Sequence, residues 1–149
     1  PIQYRRELAQ NLGCEVAINP FEVDPIEVIM SLTHGEGADT TLDCTGLPEP
    51  RVNTLKSARI YGRAGFVGEG GDTTFHVSRD IIHKQLRVYG SWTMSTVGLA
   101  EVANYIVDHS VHLTKLISHQ FSLNHAADAY RLFATGQTGK VIITFPTTE

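Results

Sequence analysis

The run Gly37-Ala38-Asp39-Thr40-Thr41-Leu42-Asp43-Cys44-Thr45-Gly46 decides how this chain folds. It is entered from a turn rich in glycine and left through Thr45 and Gly46, and it reads as a parallel strand, Ala38 to Gly46, that delivers its carboxyl end to a ligand. Two later runs finish the same way, Gly65-Phe66-Val67-Gly68-Glu69-Gly70-Gly71 and Val88-Tyr89-Gly90-Ser91-Trp92-Thr93. Each closes on small residues that allow close approach to the backbone. In open α/β sheets, the carboxyl ends of the strands are where ligands bind.

Working outward, the segment after Gly46 passes Pro48 and Pro50 and becomes a helix over about Arg51 to Ala58 that buries Val52 and Leu55. The strand Ala64 to Gly68 follows. Upstream, Asp24-Pro25-Ile26-Glu27 opens a helix, with Asp24 as N-cap, Pro25 at the first helical position and Glu27 placed to reach back to the cap amide. Ile26, Ile29 and Met30 form its apolar stripe, and Gly35 and Gly37 end it. Earlier still, Tyr4 to Gly13 reads as a helix tail with Leu8 and Leu12 on one face, and Cys14 to Asn19 as a short strand stopped by Pro20. The order helix, strand, helix, strand, helix, strand implies parallel strands joined by right-handed crossovers.

Beyond Gly70 the pattern weakens to a polar loop, a β-like run at Phe75 to Val77 and helical turns carrying Ile81 and Ile82, before a strand from Leu86 to Gly90. Leu99, Val102, Ala103, Ile106 and Val107 then mark an amphipathic helix, whose apolar face Leu113, Leu116 and Ile117 extend. A last unit has a β-like run from His119 to Leu123 and a helix capped by Asn124 with Ala126, Ala129, Tyr130 and Phe133 inward. Gly136 stops that helix, and the strand Val141 to Phe145 follows it.

A chain of 149 residues is long enough for its own core. Apolar residues at 42% and charged residues at 19% exclude a disordered or fibrous class. The net charge of -4 offers no basic face, so no nucleic-acid partner is expected. No apolar run approaches the length of a membrane span and Pro1 to Leu12 is too charged for a signal-peptide core. The reading is a cytoplasmic protein with no membrane partner. Cys14 and Cys44 form no CxxC pattern and read as small buried thiols. His109 and His112 stand three apart at a helix end without a third ligand at a recognisable spacing, which predicts a solvated terminus and no metal site.

The blocks RRELAQNLGCEVAINP, DPIEVI, GADTTLDCTG, GRAGFVGEGG, LRVYGSW and TGKVIITF, in this order and spacing, resemble the second half of a zinc-dependent medium-chain alcohol/polyol dehydrogenase. The pattern is nearest the sorbitol and threonine dehydrogenase branch. The resemblance implies an α/β fold: a partial Rossmann-type doubly wound parallel sheet lacking its first two strands, with a C-terminal helix-strand extension. Residues 1–117 would be the partial dinucleotide-binding domain, and residues 118–149 a segment that in the family returns to the catalytic domain. The zinc-bearing catalytic domain and the GxGxxG unit have no counterpart in these residues, and the acidic residue that would bind the adenosine ribose falls, by alignment, just before Pro1. The resemblance thus implies a family member with its beginning removed.

Carried over residue by residue, the resemblance places Arg5 beside the adenosine ribose, with a solvated helix charge as the alternative. Cys44, Thr45 and Gly46 would line the cofactor cleft, or form only a tight strand-to-helix turn. Val67, Gly68 and Glu69 would flank the nicotinamide half, and the backbone at Ser91 and Trp92 would meet its carboxamide. Lys140 would reach the pyrophosphate, or be an ordinary surface charge. Asp43 is expected to be structural, satisfied by backbone amides or by Arg63. No catalytic acid, base or metal ligand is assigned.

The expected function is NAD- or NADP-linked oxidation of alcohols or polyols by the complete protein, with zinc held outside these residues, cofactor binding weak or absent in this chain, and the chain alone inactive. The alternatives are a non-catalytic folding or oligomerisation module and a zinc-independent oxidoreductase resembling quinone reductases. Loss of strands beside Thr40 to Cys44 would leave an open edge, so a homo-oligomer is expected. Either the strand at Cys14 to Asn19 moves to pair there or a second chain fills the gap. The edge at Leu86 to Gly90 and the unpartnered strand at Val141 to Phe145 are further candidates for association.

Overall fold

In the computed structural model, which describes residues 1–146, by contact the chain divides into two compact units, one of residues 22–95 and one of residues 1–21 with the described residues from 96 onward. The boundary expected near residue 117 coincides with the start of a strand inside the second of these.

The first helix of the chain, α1 (Gln3–Asn11), belongs to the other unit, and the unit of residues 22–95 begins with α2 (Pro25–Leu32). The Asp24 side chain accepts the Ile26 N–H at 2.7 Å, as the sequence implied for an N-cap. Strand β1 (Ala38–Asp43), helix α3 (Pro48–Ser57), strand β2 (Ala58–Phe66), a π-type turn at Ser78–Ile82 and strand β3 (Arg87–Gly90) complete it. All pairing is parallel, in the order β1-β2-β3, with Thr41 opposite Ala64 and Ala64 opposite Val88. Hence the carboxyl ends of β1, β2 and β3 share one border of the sheet. Leu55 of α3, Ala58 and Ala64 are buried beneath it. The Thr41 hydroxyl donates to the Thr54 carbonyl at 2.8 Å and ties α3 to β1. Small residues on β2 let α3 lie close. The run at Phe75 to Val77 forms no strand.

The other unit contains α1 (Gln3–Asn11), α4 (Thr96–Asp108), β4 (Ile117–Ser122), α5 (Ala126–Ala134) and β5 (Lys140–Thr144). β4 and β5 pair in parallel, with Gln120 opposite Ile142, so β4-α5-β5 is a βαβ unit. The terminal strand therefore has a partner in this chain, contrary to expectation. A βαβ crossover supplies the ladder locally.

Three further expectations are corrected. Residues 14–19 form no strand: strand structure exists only where a neighbouring ladder satisfies the backbone, and β propensity alone does not create it. The Cys14 amide instead donates to Ala9, closing the end of α1. The N-cap of α5 is His125, since Leu123–His125 forms a 3-10 turn that absorbs Asn124, and of the predicted inward residues Ala129 is buried while Tyr130 and Phe133 are exposed. Both cysteines are exposed. α4 forms as its periodicity predicts, yet buries none of its residues.

Candidate functional site

The carboxyl ends of β2 and β3 make a mouth within the unit of residues 22–95, lined by Phe66, Val67, Gly68, Glu69, Ser91 and Trp92 around a cavity of about 360 Å3, with the turn after β1 packed against its Gly68–Gly70 side. The Ser91 amide donates to the Phe66 carbonyl at 3.0 Å, which extends the β2-β3 ladder one residue beyond the strand and sets Ser91 beside Val67. Trp92 is 81% exposed, its ring open to a ligand.

Asp43 organises the neighbouring turn. Its carboxylate, buried at 2% exposure, accepts the Thr45 amide (3.0 Å), the Thr45 hydroxyl (2.6 Å) and the Gly46 amide (3.0 Å). Its main-chain carbonyl accepts the amides of Val67 (3.0 Å) and Gly68 (3.1 Å). One residue therefore ties the turn after β1 to the loop after β2. Burial by itself pushes the Asp43 carboxyl up, but the Thr45 hydroxyl, the Gly46 and Thr45 amides and the Arg51 charge outweigh it and hold it below the ordinary carboxylate value. The expectation that amides satisfy Asp43 holds. The cation is Arg51, with Nε 3.7 Å from Oδ2, and not Arg63. Arg63 is an exposed β2 residue, whereas Arg51 lies in the first turns of α3 and reaches back under the strand end.

The structure thus brings Cys44, Thr45, Gly46, Val67, Gly68, Glu69, Ser91 and Trp92 to one border of one sheet. Arg5 and Lys140 belong to the other unit. Arg5 donates through Nε to the Thr138 carbonyl at 3.3 Å. Lys140 opens β5 and, with Ala129, Tyr130, Phe133, Val141 and Ile143, lines a separate hollow of about 320 Å3. Arg51 is the residue that the sequence did not single out. Its guanidinium donates to the carbonyls of Gly68 (2.8 Å) and Gly71.

The hydrogen-bonding inventory of the mouth limits what it can hold. The amides of Thr45, Gly46, Val67, Gly68 and Ser91 are all spent on the protein itself, and Glu69 adds an exposed carboxylate. A phosphate needs converging donors. The lining offers the Ser91 hydroxyl and the Trp92 indole N–H as neutral donors and the Glu69 carboxylate as acceptor, with no cation among the described lining residues, which suits a neutral polar group better than a phosphate.

The sequence profile of the zinc-binding dehydrogenases matches residues 1–110. The chain belongs to that family. A zinc-type alcohol dehydrogenase-like protein of Escherichia coli K12, YphC, is 42% identical to this zinc-binding dehydrogenase chain over 120 residues, 80% of the chain and 34% of YphC. An L-threonine 3-dehydrogenase of Symbiobacterium thermophilum is 32% identical over 154 residues, 95% of the chain and 41% of that enzyme. An alcohol dehydrogenase from Thermotoga maritima superposes with a TM-score of 0.83 at 26% identity, over 95% of the chain and 40% of that structure. The α/β architecture with parallel sheets is accordingly that of the Rossmann-like part of alcohol dehydrogenases. The chain spans between about a third and two fifths of the length of these relatives. Among the described residues no three of His, Cys, Asp and Glu come together to hold a metal ion. The family's zinc does not fit these side chains.

Proposed function

We propose that the chain is the nicotinamide-facing part of the cofactor domain of an NAD(P)-linked alcohol or polyol dehydrogenase. The observation that supports it is the cation-free polar mouth at the carboxyl ends of β2 and β3 in a chain of this family. A carboxamide or a ribose hydroxyl both donates and accepts, which suits the Ser91 hydroxyl, the Trp92 indole N–H and the Glu69 carboxylate, while a pyrophosphate would meet the Glu69 charge and no cation among the described lining residues. Nicotinamide, when bound, supplies the acceptor for a hydride leaving the carbinol carbon of a secondary alcohol. Cys44, Thr45 and Gly46 shape one wall, Val67, Gly68 and Glu69 the floor, and Ser91 with Trp92 the other wall. Arg5 and Lys140 are proposed for the adenosine and pyrophosphate portions.

The complete protein would carry the activity, in the cytoplasm and as a homo-oligomer, and the 149-residue chain alone would be inactive. No described helix is long and apolar enough to cross a membrane. Cofactor affinity of the chain alone is expected to be millimolar or weaker, because each absent charged hydrogen bond removes roughly 1.5–3 kcal/mol. The deciding experiment measures alcohol-dependent NAD(P) reduction and zinc content in the complete protein. Turnover with stoichiometric zinc supports the reading; turnover without zinc favours a quinone-reductase-like enzyme, and no turnover with any secondary alcohol defeats it.

A further inference from the structure

We infer that Arg51 is a positioning residue for the mouth, holding the segment Gly68 to Thr73 in the place from which Gly68 and Glu69 meet a ligand. The inference rests on the cofactor reading for its ligand but not for its geometry. The Arg51 side chain touches both sides of the border. Its Nε faces the Asp43 carboxylate at 3.7 Å, its Nη2 donates to the Gly68 carbonyl at 2.8 Å, and its Nη1 donates to the Gly71 carbonyl and approaches the Thr73 hydroxyl at 3.5 Å. The planar guanidinium fork makes these contacts together, which an ammonium cannot do.

Packing against Gly46 reaches Gly68, Glu69 and Gly70 but stops there, since a Cβ on Gly71 would meet nothing within 4 Å. Behind the segment, Arg51, Leu55, Phe66, Thr73 and Phe75 surround a hollow of about 280 Å3, so apolar contact leaves this face of the loop unfilled. Phe75 is itself 38% exposed. The polar connections are what remain, and they divide by function. The Asp43 carbonyl pins the start of the loop through the Val67 and Gly68 amides. Among the described residues, Arg51 carries the connection on to Gly71 and Thr73. With the side chain only 17% exposed, its contacts to Gly68 and Thr73 are partly shielded from competing water, while the bond to Gly71 lies at the surface.

Arg51→Lys keeps the charge beside Asp43 and removes the fork; Arg51→Gln removes both. The test measures amide hydrogen exchange by segment in the complete protein, together with affinity for NADH and for ADP-ribose, which shares everything with NADH except the nicotinamide ring. In Arg51→Lys, exchange over residues 69–73 should rise roughly tenfold while that of β1 and β2 stays as in the wild type. NADH affinity should fall about three- to tenfold with ADP-ribose affinity unchanged, since only the loop facing the ring has moved. Unchanged loop exchange in both variants, or exchange rising equally through β1 and β2, overturns the assignment. So does a loosened loop with the ratio of NADH to ADP-ribose affinity unaltered. A wild-type protein that binds ADP-ribose and NADH equally removes the nicotinamide reading instead, and the exchange data then decide on Arg51 by themselves. Should Arg51→Gln fail to fold, Arg51→Lys still gives both measurements.

Discussion

Gly46 and Glu69 meet backbone to backbone: a Cβ on Gly46 would stand 2.0 Å from the Glu69 carbonyl oxygen. The relationship is mutual, because a Cβ on Gly68 would stand 2.2 Å from the Gly46 nitrogen and one on Gly70 would stand 2.1 Å from the Gly46 carbonyl oxygen. The small residues that end these strands are therefore required by the approach of one loop to the other. They bring the turn after β1 against the loop after β2 before any ligand arrives.

Gly46→Ala should accordingly be among the most damaging single changes in the unit. Gly46 has φ +73, so alanine meets both an unfavourable backbone conformation and a clash with main-chain atoms that cannot rotate away. Overpacking and left-handed strain together cost about 2–5 kcal/mol. A urea titration of wild type and variant checks the loss, and a drop below about 1 kcal/mol would show that the loops can part cheaply.

How far the sequence carries the reading depends on the range of the interaction concerned. The glycine-closed strand ends and the Asp24 cap are local signals, and both appear where the residues place them. Whether residues 14–19 form a strand depends on a neighbour elsewhere in the chain, and no local pattern can provide one. The partner of Asp43 is misread for a similar reason: Arg63 is a plausible cation in sequence, yet the turn through Gly46 returns Arg51 to the carboxylate. Exposure fails likewise for Tyr130 and Phe133. Periodicity names the apolar face of a helix but not what covers it.

Asp80 should give the unit a measurable acid sensitivity. Its carboxylate is buried, and the hydrogen bond from Arg79 first, against the opposing effect of burial, with the His76 amide and the Arg79 and Lys56 charges, brings its pKa from 3.8 to about 2. A folded value below the unfolded one means that the folded state releases the proton more readily. The stabilisation is complete above the unfolded pKa and disappears as pH falls from 3.8 toward about 2. With Arg79 exposed to solvent, the effect should be on the order of 1–2 kcal/mol. Chemical denaturation from neutral pH down to the acid limit should show it, and Asp80→Asn should flatten that part of the profile.

Lys84 closes the end of α3. Its ammonium donates to the carbonyls of Leu55 (3.1 Å), Lys56 (2.5 Å) and Ala58 (2.8 Å), while its own carbonyl accepts the Tyr61 amide. These are carbonyls at the end of the helix and the start of β2 that the helix itself leaves unpaired, at the negative end of its dipole. Lys84→Met keeps the stem and removes the donors, and should cost about 1–3 kcal/mol. Lys84→Arg should recover part of it. A thermal melt that does not distinguish Lys84→Met from wild type would mean that water replaces the ammonium without loss.

The edge of β1 should make the isolated chain associate. The sheet order β1-β2-β3 leaves one side of β1 unpaired within the sheet, and residues 14–19, the segment expected to fill it, form no strand. An unpaired edge offers backbone donors and acceptors to any second strand, and its side chains do little to discourage pairing: Leu42 is 60% exposed and Thr40 is uncharged. Leu42→Lys places a charge beside the edge while leaving the β1-β2 register, Leu42 opposite Gly65, intact. Sedimentation of the 149-residue chain should show mass rising with concentration, and Leu42→Lys should shift the distribution toward monomer without lowering the melting temperature. If wild type and variant associate alike, the contact lies elsewhere, with the exposed strand β3 as the next edge to test. A wild-type chain that remains monomeric at every concentration would show that neither edge recruits a partner.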